Sequence, residues 1–101
     1  MARISGNVLP DGTKSSNTSS KSGFTVELNE SMYTITFNKA FSETPTVLVN
    51  LLNQELGPDI NTNITTAINP GKEKCIIQFW NNDTINYPEF NFCFAAFGDL
   101  A

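Results

Sequence analysis

The sequence predicts an all-β domain, an antiparallel β-sandwich of six to seven strands, and three observations carry that expectation. Apolar residues alternate with polar ones at period two along several short runs. Turn-forming residues separate those runs at roughly 8–15-residue intervals, the rhythm of a sandwich or barrel. No window repeats apolar residues at i, i+3, i+4 and i+7, so no helix is expected. At 101 residues the chain has room for a single domain over 1–101.

The elements follow in chain order. Ile4 and Val8 mark a first strand. Leu9-Pro10-Asp11-Gly12 is a turn signature, because proline presets φ and glycine permits a positive one. Lys14 to Gly23 contains nothing apolar, so 9–23 reads as a polar flexible loop, either within the domain or as a terminal tail. Phe24-Thr25-Val26-Glu27-Leu28 and Met32-Tyr33-Thr34-Ile35-Thr36-Phe37 both alternate strictly, and the short polar link Asn29-Glu30-Ser31 makes them a hairpin. Thr46-Val47-Leu48-Val49-Asn50-Leu51 is nearly continuous in apolar side chains, the pattern of a central strand covered on both faces. Pro45 opens it where a missing N–H does no harm.

The second half continues in the same manner. Asn53 to Asp59 is a loop carrying Gly57-Pro58, and Asn63 to Ile68 is a weaker strand closed by Asn69-Pro70-Gly71. Cys75-Ile76-Ile77-Gln78-Phe79-Trp80 is a strong strand. Asn81 to Glu89 is polar, and Phe90 to Phe97 closes the fold with Phe90, Phe92, Phe94 and Ala96 on one face. Cys75 and Cys93 sit on strands expected to be neighbours. The same alternation turns Cys75 inward with Ile77 and Phe79 but Cys93 outward from Phe92 and Phe94. A disulfide needs Cβ atoms about 3.8 Å apart, so two free thiols in a reducing compartment are expected.

Composition narrows the chemistry. Of 101 residues 40% are hydrophobic and only 16% charged, and the difference is made up by 13 Asn, 11 Thr and 8 Ser. With no histidine, neither Ser-His-Asp nor Cys-His catalysis nor a histidine zinc site is available. A net charge of -4, with Arg3 the only arginine, argues against nucleic acid, whose phosphates demand Lys and Arg. No apolar run reaches the ~20 residues of a membrane helix. Met1 to Asn7 lacks the apolar core of a signal peptide. Synthesis in the cytoplasm is therefore expected, with release or incorporation into an extracellular or virion assembly as onward routes.

Few constellations carry chemistry. Asp83 and Glu89 are a carboxylate pair in one loop, but a small sandwich rarely supplies the deep cleft a glycosidase needs, so no enzyme is expected. Glu55, Asp59 and Glu73 match no calcium-loop spacing, and no metal or cofactor is implied. Asn-x-Ser/Thr sequons at Asn17, Asn29, Asn63 and Asn82 occur about as often as chance allows in so Asn-rich a chain. The segment Trp80-Asn81-Asn82-Asp83-Thr84-Ile85-Asn86-Tyr87 is more informative. One indole, three short polar side chains and a tyrosine have the composition of a sugar site, the ring against a pyranose face and the polar groups on its hydroxyls. The competing reading is that Trp80 plugs the sandwich and Tyr87 covers it.

These runs also carry a family resemblance. Tyr33-Thr34-Ile35-Thr36-Phe37, Phe41, Pro45-Thr46-Val47-Leu48-Val49, Phe79-Trp80-x-x-Asp83-Thr84 and Phe92-x-Phe94-Ala95-Ala96, in that order over roughly 32–98, resemble the H-type lectin domain. The resemblance implies a six-stranded antiparallel β-sandwich, assembly as a homotrimer or a hexamer, and binding of galactose or N-acetylgalactosamine-type sugar at subunit boundaries. Carried over by position, it makes Trp80 and Asn81 sugar contacts, with Asp83 beside them and Tyr87 near the family's loop tyrosine. It sets Asp11 and Gly12 at an N-terminal turn that reaches a neighbouring subunit's sugar. Two departures matter: Asn81 stands where the family commonly has histidine, and Asn61-Thr62-Asn63-Ile64 replaces a strand bearing arginine, leaving Asn63 as the polar candidate there. Gly6-Asn7-Val8, Asp11-Gly12 and Gly23-Phe24-Thr25-Val26 also look like small bacterial and phage tail-fibre-type modules. That second likeness implies a trimeric structural or receptor-binding tip without sugar activity.

Overall fold

A computed structural model describes residues 1–15, 23–51, 64–81 and 91–101. It contains seven strands: β1 (Ala2–Val8), β2 (Phe24–Asn29), β3 (Met32–Phe37), β4 (Thr46–Leu51), β5 (Ile64–Asn69), β6 (Lys74–Asn81) and β7 (Phe92–Gly98). Every pairing is antiparallel. The strands form a three-stranded sheet, β1-β7-β4, and a four-stranded sheet, β2-β3-β6-β5. The fold is the expected all-β sandwich, and no helix occurs among the described residues.

The inward residues are those the alternation selects. Phe24 on β2, Tyr33 and Ile35 on β3, Cys75, Ile77 and Phe79 on β6, and Phe92 and Ala96 on β7 are fully buried. Rings join the two sheets edge to face: Tyr33 meets Phe92 at 4.9 Å between centroids, Phe79 meets Phe92 at 5.3 Å, and Phe24 meets Phe94 at 4.8 Å. Such tilted pairs add to simple burial because a ring's positive edge faces its neighbour's negative face. At one end of the sandwich Phe41 packs on Phe37 at 5.0 Å, held by its own N–H donating to the Lys72 carbonyl. At the other end the Tyr33 hydroxyl donates to the Pro10 carbonyl at 2.9 Å, which ties the first turn onto β3.

Three expectations change in detail. Among the described residues the run Thr46–Leu51 is an edge strand rather than a central one, since β4 pairs there only with β7. Val47, Val49 and Leu51 pack against the core, but Leu48 points outward and is 59% exposed. An apolar run registers how much hydrophobic surface a strand carries, not its place in the sheet. Cys75 and Cys93 lie on strands adjacent in the chain but in opposite sheets. Both are free, as the alternation requires, Cys75 buried and Cys93 half-buried on the outer side of β7. Finally, the first part of the 9–23 segment is structured. Residues 9–13 form a turn and Lys14 bridges back to Val8, while Lys14 also sits 4.6 Å over the Phe24 ring. Residues 16–22 lie outside the described set.

The β2–β3 hairpin closes through only two residues, Glu30 and Ser31, between the pair Asn29 and Met32. Both have positive φ, 51° and 67°, the backbone of a type I′ turn. That turn suits the twist of the strands but strains side chains, at about 1–2 kcal/mol per ordinary L-residue. Replacing the pair by Asn-Gly (E30N with S31G) is expected to stabilise the domain by about 1 kcal/mol, raising Tm by about 4–8 °C. Thermal unfolding followed by circular dichroism checks this. Burial pushes the Cys75 thiol up to about 11, so it stays protonated and inert at neutral pH. An aromatic disulfide reagent should therefore label one thiol per folded chain, Cys93, and two after urea unfolding.

Candidate functional site

The alternation that buries Cys75, Ile77 and Phe79 sends Ile76, Gln78 and Trp80 to the other side of β6. Phe79 fills the core at 0% exposure, while Trp80 is half-buried on the outer face of the four-stranded sheet. The plug reading of Trp80 is thereby corrected, because the neighbouring phenylalanine occupies the place the indole would have taken.

Register identifies what surrounds the indole. Trp80 pairs with Thr65 of β5, and Gln78 pairs with Ala67 on one side and Met32 of β3 on the other. Paired residues share a face, so Thr65, Ala67, Gln78 and Met32 border Trp80 on the outer surface. Thr34 and Asn69 flank Ile76 one step further along. Among the described residues an indole thus lies beside a hydroxyl, an amide and a thioether, with Lys74 and Glu27 the charges at the margins of the face. Such a surface offers an apolar plane and uncharged hydrogen-bonding groups, which suits a neutral, hydroxyl-rich ligand.

The other candidates distribute as follows. Asn81 ends β6 opposite Ile64 and by alternation falls on the inner side, at the rim of the sandwich. It can share a ligand with Trp80 only where the sheet face meets that rim. Asp11 and Gly12 sit at the same end of the molecule, on the turn that Tyr33 anchors through Pro10. Gly12 has φ +87° and is buried against β2, so close that an added Cβ would lie 2.5 Å from that of Leu28. Its glycine is required by backbone conformation and by the approach to Leu28 alike. The Asp11 carboxylate accepts hydrogen bonds from the Thr13 hydroxyl at 2.6 Å and the Thr13 N–H at 3.0 Å. These hold its pKa below the ordinary carboxylate value, the hydroxyl contributing most. Because β3 separates β2 from β6, about 10 Å lies between the strand carrying Leu28 and the strand carrying Trp80. Moreover, Leu28 faces inward and Trp80 outward. The chain therefore does not bring the Asp11–Gly12 turn onto the face of its own indole. Asn63, Asp83 and Tyr87 lie outside the described residues.

Sequence reasoning missed Gln78, Thr65 and Met32 as neighbours of Trp80. Gln78 is recoverable from the two-residue period of β6, but Thr65 and Met32 follow only from strand register. Among the described residues no group of three His, Cys, Asp or Glu side chains is placed to hold a metal. No helix long and apolar enough to cross a membrane occurs among them. No family model matches the chain, and no curated protein or solved structure is significantly similar to it.

A paired substitution separates the roles of the two adjacent aromatics. Phe79→Ala removes a fully buried ring and is expected to cost about 3–5 kcal/mol. Trp80→Ala should cost well under half as much, as measured by urea denaturation. In the intact protein the single indole's fluorescence should be readily quenched by acrylamide.

Proposed function

We propose that this chain is a carbohydrate-binding lectin module without catalytic activity, multivalent through homo-oligomerisation. The observation that carries the reading is the outward placement of Trp80, the only tryptophan, beside Thr65 and Gln78 rather than in the core. A half-buried indole on an outer sheet face amid uncharged polar groups presents an apolar plane on which a ligand can pack. A pyranose does so with its C–H face while its hydroxyls reach the surrounding amide and hydroxyl groups. Asn81 at the rim, and Asp83, Tyr87 and Asn63 by sequence resemblance, complete the candidate contacts. In that reading the Asp11–Gly12 turn serves a neighbouring subunit's sugar, in keeping with its distance from the indole of its own chain. Galactose and N-acetylgalactosamine-type sugars are the class the resemblance favours, although the missing histidine and arginine alter the donor set. Each site is expected to be weak, so repetition across subunits would raise the overall affinity through effective concentration.

The exposed Leu48 favours a second reading, a trimeric structural or receptor-binding tip of a fibre that binds no sugar. A glycan array separates the two. The lectin reading predicts binding to a family of related terminal sugars, lost on Trp80→Ala while the circular dichroism spectrum and the sedimentation coefficient stay unchanged. Silence across the array at high protein density sinks it and leaves the fibre reading standing.

A further inference from the structure

The two edges of the three-stranded sheet are finished differently. Beyond β1 the chain folds back, so that Lys14 bridges to Val8 and the Ser15 N–H donates to the Asn7 carbonyl at 2.9 Å. Beyond β4 no strand pairs among the described residues. Open edges in natural sheets are commonly blunted by a lysine, a proline or a bulge, because their free N–H and C=O groups recruit other strands. Strand β4 has none of these. Thr46–Leu51 carries no charge and no proline, and it runs against β7 one residue to one from Thr46–Phe97 to Leu51–Phe92. Its outward side chain Leu48 lies beside Ala95 of β7, and Arg3 supplies the one charge among the outward-facing positions of this sheet.

We propose that β4 pairs antiparallel with β4 of a second copy, joining two three-stranded sheets into one six-stranded sheet across a two-fold axis. The occupant follows from the strand itself. An extended, uncharged strand with apolar side chains inward in the same alternation fits this edge, and β4 is such a strand, with Val47, Val49 and Leu51 inward and Leu48 outward between Thr46 and Asn50. In an antiparallel pair directly opposed residues point to the same side, so only registers that oppose inward to inward are permitted. The register centred on Leu48 does this along the strand. It opposes Leu48 to Leu48 of the other copy and Thr46 to Asn50 on the outer face, and Val47 to Val49 on the core side. Such a contact is isologous and closed, so it ends at two copies instead of growing into a fibre. It is also compatible with a hexamer, in which two-fold axes relate the halves. The inference does not rest on the sugar reading, but it has a consequence for it. The axis leaves both core faces on the same side of the joined sheet, so the two Trp80-bearing surfaces point the same way, as a bivalent binder of a glycan-coated surface requires.

Sedimentation equilibrium and native mass spectrometry of the 101-residue chain test this at micromolar and higher concentrations. The expected species is an even-numbered assembly, a dimer of twice the 11.1 kDa chain mass or a hexamer. Leu48→Lys opposes two ammonium groups at the axis and should weaken the contact roughly tenfold or more, yielding monomer or trimer, since like charges directly opposite repel. Leu48 is exposed, so the variant should keep the wild-type circular dichroism spectrum. Leu48→Cys in a Cys93→Ser background should form a covalent dimer on mild oxidation. Ala67→Lys, on the other uncharged edge at β5, should leave the assembly unchanged. A wild-type monomer or trimer overturns the proposal, as does dissociation by Ala67→Lys but not by Leu48→Lys.

Discussion

The contact between the Tyr33, Phe79 and Phe92 rings is the constraint on which most of the structure depends. These three buried aromatics come from β3, β6 and β7, so they bind the four-stranded sheet to the middle strand of the three-stranded one. Two of the strands that meet there, β6 and β7, are adjacent in the chain yet lie in opposite sheets. Their junction is thus a cross-sheet junction, held by rings instead of by backbone hydrogen bonds. The Tyr33 hydroxyl extends the cluster to the rim, where it donates to the Pro10 carbonyl and positions the turn carrying Asp11 and Gly12. Burying a tyrosine this deeply is tolerable because its one polar atom finds a partner at the end of the sandwich.

Once Phe79 belongs to that cluster, the place of Trp80 is no longer free. Consecutive residues of a strand face opposite sides, so a core phenylalanine forces the next residue outward. The candidate site is therefore a by-product of core packing: the residue that anchors the sheets also presents the indole. The same rule separates Asn81 from Trp80, although the two are neighbours in the chain and were grouped by composition. It also brings in Gln78, two residues away, which composition alone passes over.

The outer surfaces of the two sheets differ in character. The four-stranded sheet shows threonine, asparagine, glutamine and glutamate around one indole, whereas the middle strand of the three-stranded sheet carries Cys93, Ala95 and Phe97 outward. Strand β7 is apolar on both faces, the pattern anticipated for β4, and it occupies the middle position anticipated for β4. An apolar run does not by itself decide which strand takes the middle position, because pairing partners do. Leu48 is left exposed as a result, at the one edge of that sheet which the described chain does not cover.

Sequence by itself determined the things that depend on nearest neighbours along the chain. Period-two alternation selected the inward faces of β2, β3, β6 and β7 and separated the two thiols, because side-chain direction in a strand depends only on parity. Asp11-Gly12 was legible as a turn, since glycine is needed where φ is positive. What only the tertiary structure decided was which strands lie side by side. Pairing is set by contacts between residues far apart in sequence, and several orders of seven strands would bury the same faces. Hence β4 could be read as central and Cys75 and Cys93 as lying on neighbouring strands until the pairing decided otherwise, and the burial of Phe79 removed only the plug reading of Trp80.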